Sequence, residues 1–487
     1  MNKHVLIGSV LGFMTMAAVQ DAVAVELSKP NILFCLADDW GWPHAGAYGD
    51  KVIKTPTFDR LAKEGVLFEH AFVSSPSCSP CRNSILTGQQ FYRLGPGANL
   101  RGTLEVEDPN FMVLLRDAGY QIGHWRKAWG PGDYGPGGYT EHPCGPESEF
   151  DAFMKGRDPN KPFCFWFGTS DPHRPYAEGS GAKSGIDINK IHVPTFYPNT
   201  KDVRSDIADY YFEVQRWDTD VGRAIKLIEE VGELDNTIIV MTGDHGMPFP
   251  RCKANLYDWG IRVPLAIRWG GKTNPDRRIT DFVSFTDIAP TFLDAAGIQV
   301  PTEMTGSSLL PIMNGEAEGR VDKERNFMVF GRERHVLCQK SPSLEGYPSR
   351  GIRTDQWLLI LNLKPDRWPN GVPFGGTSRY CKSSFSDVDP GPTKSFITGN
   401  PEYKKFYDLC FAKRPAVELY DCKNDPDQVK NLAKDPAYST MANQLKEQLL
   451  NYLESTGDPR FTDEPVQFDD YPHLKPPHVV NKRNKKK

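Results

Sequence analysis

The stretch Asn31–Trp40, NILFCLADDW, decides how the rest of the chain is read. It runs as an apolar strand from Asn31 to Leu36 and stops at the acidic pair Asp38–Asp39. Outward from it the same grammar repeats. TPTFDRLAKEG predicts a helix capped by Thr55, with Pro56 at its first position, Phe58, Leu61 and Ala62 as an apolar stripe, and Gly65 as its stop. VLFEHAFVSS reads as the next strand. DPNFMVLLRDAG is a second helix punctuated by Asp108, Pro109 and Gly119, and the strand YQIGHW leads to Lys127. PFCFWFG is a buried strand running out to Asp171 and His173. A long amphipathic helix spans about 202–231, the strand NTIIVMTG ends at Asp244–His245, VPLAIRW is another strand, and TDIAPTFLDAAG is a helix.

Strands alternating with capped helices predict an α/β fold with a mainly parallel sheet. Three strands end in acidic or imidazole residues: Asp38/Asp39, His173 and Asp244/His245. Ligands of open α/β sheets gather beyond the carboxyl ends of the strands, so these residues are expected to converge.

From about Val321 the pattern changes. NFMVFGRERHV, RGIRTDQWLLILNL and AVELYDCKNDPDQVKNLA read as strands and turns, and a last helix covers about 438–455. The expected organisation is a catalytic domain over 25–320, a smaller α+β domain over 321–460 and an irregular basic tail over 461–487. The Pro-, Gly- and Ser-rich stretch 364–401 reads as one long loop. Residues 1–24, with Lys3, an apolar run and a final AVA, read as a secretory signal peptide, which predicts export to the periplasm or outside the cell. Export permits disulfides, and Cys410–Cys422 is the expected pair. A net charge of −4 offers no general attraction to polyanions, and the tail NKRNKKK reads as a solvated end, so nucleic acid is not an expected partner.

The chemistry-bearing stretch is CSPCRNSILTG, Cys78–Gly88. It reads as a short helix closed by Gly88, with Cys78 at its N-terminus, where free N–H groups favour an anion. Arg82 adds a permanent charge with a planar fork. No second Cys or His pair stands at zinc-finger spacing. The string resembles the signature of the type I sulfatases, Cys-x-Pro-(Ser or Cys)-Arg followed by Leu-Thr-Gly. That resemblance implies an alkaline-phosphatase-like sandwich, and a first cysteine converted to formylglycine by a formylglycine-generating or anaerobic sulfatase-maturing enzyme.

It further implies one divalent cation, Ca²⁺ ahead of Mg²⁺, held by Asp38, Asp39, position 78, Asp244 and His245. The hard carboxylate oxygens suit such an ion. The catalytic set implied is Cys78, Arg82, Lys127 in HWRKAWGPG, His173 in DPHRPY and Lys253 in CKANLYDWGIRVP. The cations stabilise charge on the sulfate and leaving oxygens, and His173 or Lys253 protonates the leaving group. A hydrated aldehyde attacks sulfur with one hydroxyl and expels sulfate through the second, which a thiol or a serine lacks. The chain departs from the pattern at Trp129, where relatives carry a histidine; His124 is the one nearby substitute.

GDHGMPFPRCKANLYDWG is most similar to the heparan N-sulfatase branch and its bacterial relatives, which implies a sulfated sugar or polysaccharide, glycosaminoglycan or algal, as substrate. Arg332, Arg334 and His335 of GRERH are candidates for its other anionic groups. Two other readings compete: an alkaline-phosphatase-like phosphoesterase, which needs two zinc ions and more histidines than His173 and His245, and an unmodified protein that only binds sulfated glycans.

Overall fold

Three parallel strands bring the acidic and imidazole endings into one row. β1 (Asn31–Ala37) lies between β4 (Phe163–Gly168) and β5 (Thr237–Gly243), with Leu36 opposite Gly168 and Ala37 opposite Gly243. The chain therefore leaves all three strands at the same edge. The structure, a computed structural model, describes Met1 and residues 29–340, 342–374 and 383–475. The leader reading at 1–24 and the NKRNKKK tail fall outside these residues, Met1 apart.

The sheet has seven strands in the order β3 (Gln121–Trp125), β4, β1, β5, β6 (Leu265–Trp269), β2 (Val66–Phe72), β7 (Arg277–Ser284). Only β6 runs antiparallel to its neighbours. Along β1, Ile32, Phe34 and Leu36 belong to one core, with Phe111 and Phe292. Leu33, Cys35 and Ala37 belong to another, with Val214 and Trp217 of the Lys201–Glu230 helix. Helices thus cover both faces, as an internal parallel strand requires. Nothing in the apolar pattern predicts β7. Two of its charges are satisfied by backbone: Arg277 donates to the Met313 and Ile312 carbonyls at 2.9 and 3.0 Å, and Asp281 accepts from Val321 and Asp322 N–H, while Arg278 pairs with Glu69.

Two helix starts differ from expectation. Thr55 precedes the Pro56–Glu64 helix but does not cap it. Its hydroxyl donates to Asp59, and Asp218 of the long helix accepts from Thr57 N and Phe58 N at 3.0 and 2.9 Å instead. The helix read from Asp108 is Phe111–Asp117, capped by Asn110 rather than Asp108, because the Asn110 side chain accepts from Met112 N.

A second sheet is antiparallel, in the order β11 (Val417–Asp421), β10 (Trp357–Asn362), β9 (Ser349–Thr354), β8 (Phe327–Arg332). The Ser439–Ser455 helix covers it with Leu445, Leu449 and Leu453. The stretch read as one loop over 364–401 contains a helix, Pro392–Gly399, docked by Thr393 on Asp206. The Cys410–Cys422 pairing is overturned, since both are free thiols. Cys410 points at the Phe196 carbonyl, while Cys422 accepts from Gln428. The chain beyond Gly457 is irregular but not loose: Asn99 donates to the Phe468 carbonyl at 2.8 Å and Leu474 N to the Arg101 carbonyl at 2.7 Å. No helix among the described residues is long and apolar enough to cross a membrane.

Candidate active site

Cys78 opens the Cys78–Thr87 helix, and Gly88, in the left-handed region at φ 63°, closes it. The helix points its first residue at the sheet edge. Cys78 Sγ lies 3.7 Å from Asp38 Oδ1 and 3.4 Å from His245 Nε2. Asp39 adopts φ 76°, a conformation uncommon outside glycine, and its N–H donates to Asp244 Oδ1 at 2.9 Å. That backbone turn aims both Asp38 and Asp39 inward.

The donor set fits a divalent cation. Asp38, Cys78 and Asp244 bring ligating atoms within 4.8 Å of one another, as do Asp39, Cys78 and His245. Asp39 Oδ1 is buried and accepts no hydrogen bond among the described residues. A buried carboxylate oxygen is costly unless something positive meets it, and the oxygens are hard donors suited to Ca²⁺ or Mg²⁺.

The expected cations surround this set. Arg82 is fully buried; its Nε donates to Asp244 Oδ2 at 2.9 Å and its NH1 to the Lys127 and Ala128 carbonyls at 2.8 and 2.7 Å. Lys127 Nζ sits 2.5 Å from Asp38 Oδ1, and Lys253 Nζ 2.9 Å from Asp39 Oδ2. A Cβ at Gly168 would overlap the Lys127 carbonyl, so the glycine lets that loop lie on the end of β4. His173 Nδ1–H donates to the Arg174 carbonyl at 2.6 Å, which leaves Nε2 free, 3.9 Å from Asp39 Oδ2.

Electrostatics set the protonation states. Burial pushes the Cys78 thiol up to about 12 despite Lys127, so at neutral pH it is no thiolate nucleophile. Burial raises Asp38 too, but Lys127, His173 and Arg82 together outweigh it and hold the carboxyl well below the usual range. Burial works against the Lys253 ammonium, yet Asp389 and Asp39 push its pKa well above that of an ordinary lysine.

Asp389 was not legible in sequence. It lies in the 364–401 stretch, and its Oδ2 accepts from Lys253 Nζ at 3.0 Å. The GRERH candidates separate. His335 Nδ1 lies 2.8 Å from the hydroxyl of Ser77, beside the nucleophile position. Arg332 and Arg334 are buried and engaged elsewhere, so direct contact with a sugar does not fit them. Arg332 holds Asp387 and the Pro369 carbonyl, and Arg334 the Leu344 and Tyr471 carbonyls. His124 is also committed: its Nδ1 donates to the Gly145 carbonyl at 2.9 Å and its ring stacks on His142 at 3.9 Å. Trp129 Nε1 donates to Asn83 Oδ1 at 2.6 Å, and with Tyr134 the indole walls a cleft of about 430 Å³ that also meets Asp38, Lys127, Ser170 and His173.

The sulfatase family matches residues 30–298, and the C-terminal family of N-sulphoglucosamine sulphohydrolase matches residues 243–368. The chain is 28% identical over 452 residues to an ulvan-active sulfatase of Formosa agariphila, covering 88% of this chain and 81% of that one. It is 30% identical over 485 residues to the N-sulphoglucosamine sulphohydrolase of Homo sapiens, covering 88% and 91%. Further relatives include N-acetylgalactosamine-6-sulfatases, so the likeness spreads over several sulfatase types and does not select the N-sulfoglucosamine branch. In fold, the chain superposes on BT4656 in complex with its substrate D-glucosamine-2-N,6-O-disulfate, with a TM-score of 0.63, 21% identity and coverage of 88% and 98%. A phosphonate monoester hydrolase from Silicibacter pomeroyi shares the fold at a TM-score of 0.64, 18% identity and coverage of 88% and 96%, so architecture alone does not choose the reaction. The sequence matches do choose the family. A profile spanning more than half the chain and a human relative aligned over nearly its whole length agree on it: the chain belongs to the sulfatase family, with the alkaline-phosphatase-like fold of a large helix-flanked sheet and a smaller C-terminal sheet.

Proposed function

We propose that the protein is an exported sulfatase that cleaves sulfate esters or sulfamates of a sulfated sugar or polysaccharide, using formylglycine made from Cys78 and one Ca²⁺. One observation carries the reading: the Cys78 side chain, three aspartates and three permanent cations meet at a single sheet edge. Position 78 as formylglycine would supply a hydrated aldehyde oxygen as nucleophile, and the cation would be held by Asp38, Asp39, Asp244 and His245. Arg82, Lys127 and Lys253 would bind the sulfate oxygens. His173, with Nε2 free, would donate a proton to the departing oxygen or nitrogen.

The charge balance supports the cation. Asp38, Asp39, Asp244 and Asp389 face Arg82, Lys127 and Lys253, so with His173 neutral the pocket without a dication is net negative by one, which disfavours sulfate. With a dication it is net positive by one. Chelation is therefore expected to abolish sulfate binding in calorimetry, and Ca²⁺ to restore it. The apolar leader supports export, and a maturing enzyme acting on Cys78 is the implied partner. The deciding experiment pairs mass spectrometry of the Cys78 peptide with sulfate release from N-sulfated glucosamine and O-sulfated galactose, rhamnose and uronate. An aldehyde-bearing, calcium-loaded preparation that releases no sulfate from any of these sinks the reading.

A further inference from the structure

Asp389 stands in the pocket without a part in that reaction. Its Oδ2 faces Lys253, and the ligating atoms of Asp389, His173 and Asp39 lie within 4.8 Å of one another. Its side chain is 23% exposed, against 32% for His173, so the carboxylate opens to solvent beside the imidazole.

The position is built. Asp387, two residues earlier, is buried and accepts from Val336 N at 2.8 Å and from Arg332 at 3.1 Å. Lys394 Nζ donates to the Phe385 and Val388 carbonyls at 2.9 and 2.7 Å. Gly391 lies against the Arg174 guanidinium, where a Cβ would clash, and Arg174 pairs with Asp206 at 2.8 Å. Arg332 thus acts on the site at one remove, by fixing the segment that carries Asp389.

A carboxylate there works against an anionic substrate, because it cancels one of the charges that draw sulfate in. Lys253 keeps a second carboxylate partner without it, since Asp39 also pairs with that ammonium at 2.9 Å. What Asp389 adds is a charged acceptor beside His173, the proton donor, and Lys253, which binds the sulfate. A charged acceptor in that place matches a hydrogen-bond donor on the sugar.

We infer that Asp389 is a specificity-determining residue. It accepts a hydrogen bond from a hydroxyl or amino group beside the sulfated atom and rejects a second sulfate or a carboxylate there. The inference rests on the sulfatase reading but is tested by binding, apart from turnover. Calorimetry on the full-length, calcium-loaded protein compares inorganic sulfate with glucosamine N-sulfate, galactose 4-sulfate and rhamnose 3-sulfate. At least one saccharide is expected to bind tighter than inorganic sulfate. Asp389→Asn is expected to weaken that saccharide tenfold or more, while inorganic sulfate changes less than threefold or tightens. Asp389→Ser should give the same contrast. Equal weakening of both ligands, no weakening of either, or a wild type that prefers inorganic sulfate to every saccharide would each overturn it. Absence of sulfate release by the aldehyde-bearing enzyme would instead count against the reaction and leave the contrast standing.

Discussion

Arg82 does two jobs with one guanidinium. Two nitrogens neutralise Asp244, and the third fixes the carbonyls of Lys127 and Ala128, so the same side chain places a second cation of the pocket. A lysine has one point charge and cannot reproduce that fork. Arg82→Lys is therefore expected to lower kcat/KM by about 10² or more, the scale of one lost oxyanion donor. It should also cost roughly 3 kcal/mol in urea unfolding through the poorly paired buried Asp244. Cys78 makes a separate prediction. With its thiol pushed up to about 12, unconverted Cys78 is expected to resist iodoacetamide at pH 8, followed by mass spectrometry of its peptide. Rapid alkylation there would mean the pocket is wetter or more positive than its geometry implies.

At the scale of elements, the second sheet is stitched on by buried ions as much as by apolar packing. Glu333 of β8's exit holds Arg350 at 2.8 Å and Arg460 at 2.6 Å, and Asp458 holds Arg350 at 2.5 Å. Arg350 and Asp458 are fully buried, so removing one partner strands a charge. Asp458→Ala is expected to destabilise by about 3–5 kcal/mol, read from urea unfolding, whereas Asp458→Asn should cost less because it keeps acceptor and shape. The elements also show what a sequence carries. β1, β4 and β5 were readable because both faces are buried and the strands are nearly pure apolar runs. β7 was not, because Arg277, Arg278 and Asp281 break the run; Arg277 and Asp281 are satisfied by backbone about 35 to 41 residues away, and Arg278 by Glu69 and the Ala47 carbonyl. Cys78 and Arg82 sit in a local string that can be recognised. Asp389 sits among prolines, glycines and serines, and only tertiary contacts through Asp387, Lys394 and Gly391 give it meaning. For the same reason GRERH offers Arg332 only as a candidate for a ligand's anionic groups, whereas the structure turns it inward to Asp387.

Across the whole molecule, acid should act on both faces of the large sheet at once. His44 is buried among Tyr210, Tyr211 and Trp259, and burial lowers it to about 4. On the other side His124 and His142 stack, and burial brings them to about 4 and about 3. Each folded-state value lies below the ordinary 6.5, so protons bind the unfolded chain first. The stability these rings confer is present above pH 6.5 and is lost as pH falls toward 4. At pH 5 the loss is on the order of 2 kcal/mol for each ring. Asp108 and Asp218 oppose it, because burial raises both to about 6, and they gain stability as pH falls through that value, roughly 1 kcal/mol each at pH 5. Asp38 is held too low to titrate in this window. The histidines outweigh the two aspartates, so the urea midpoint is expected to drop between pH 7 and pH 5. His124→Gln, which keeps a side-chain donor for the Gly145 carbonyl, should flatten that drop while costing little at pH 7.5. A midpoint that holds steady or rises toward pH 5 would show that carboxylate protonation, not imidazole burial, governs the acid limb of this fold.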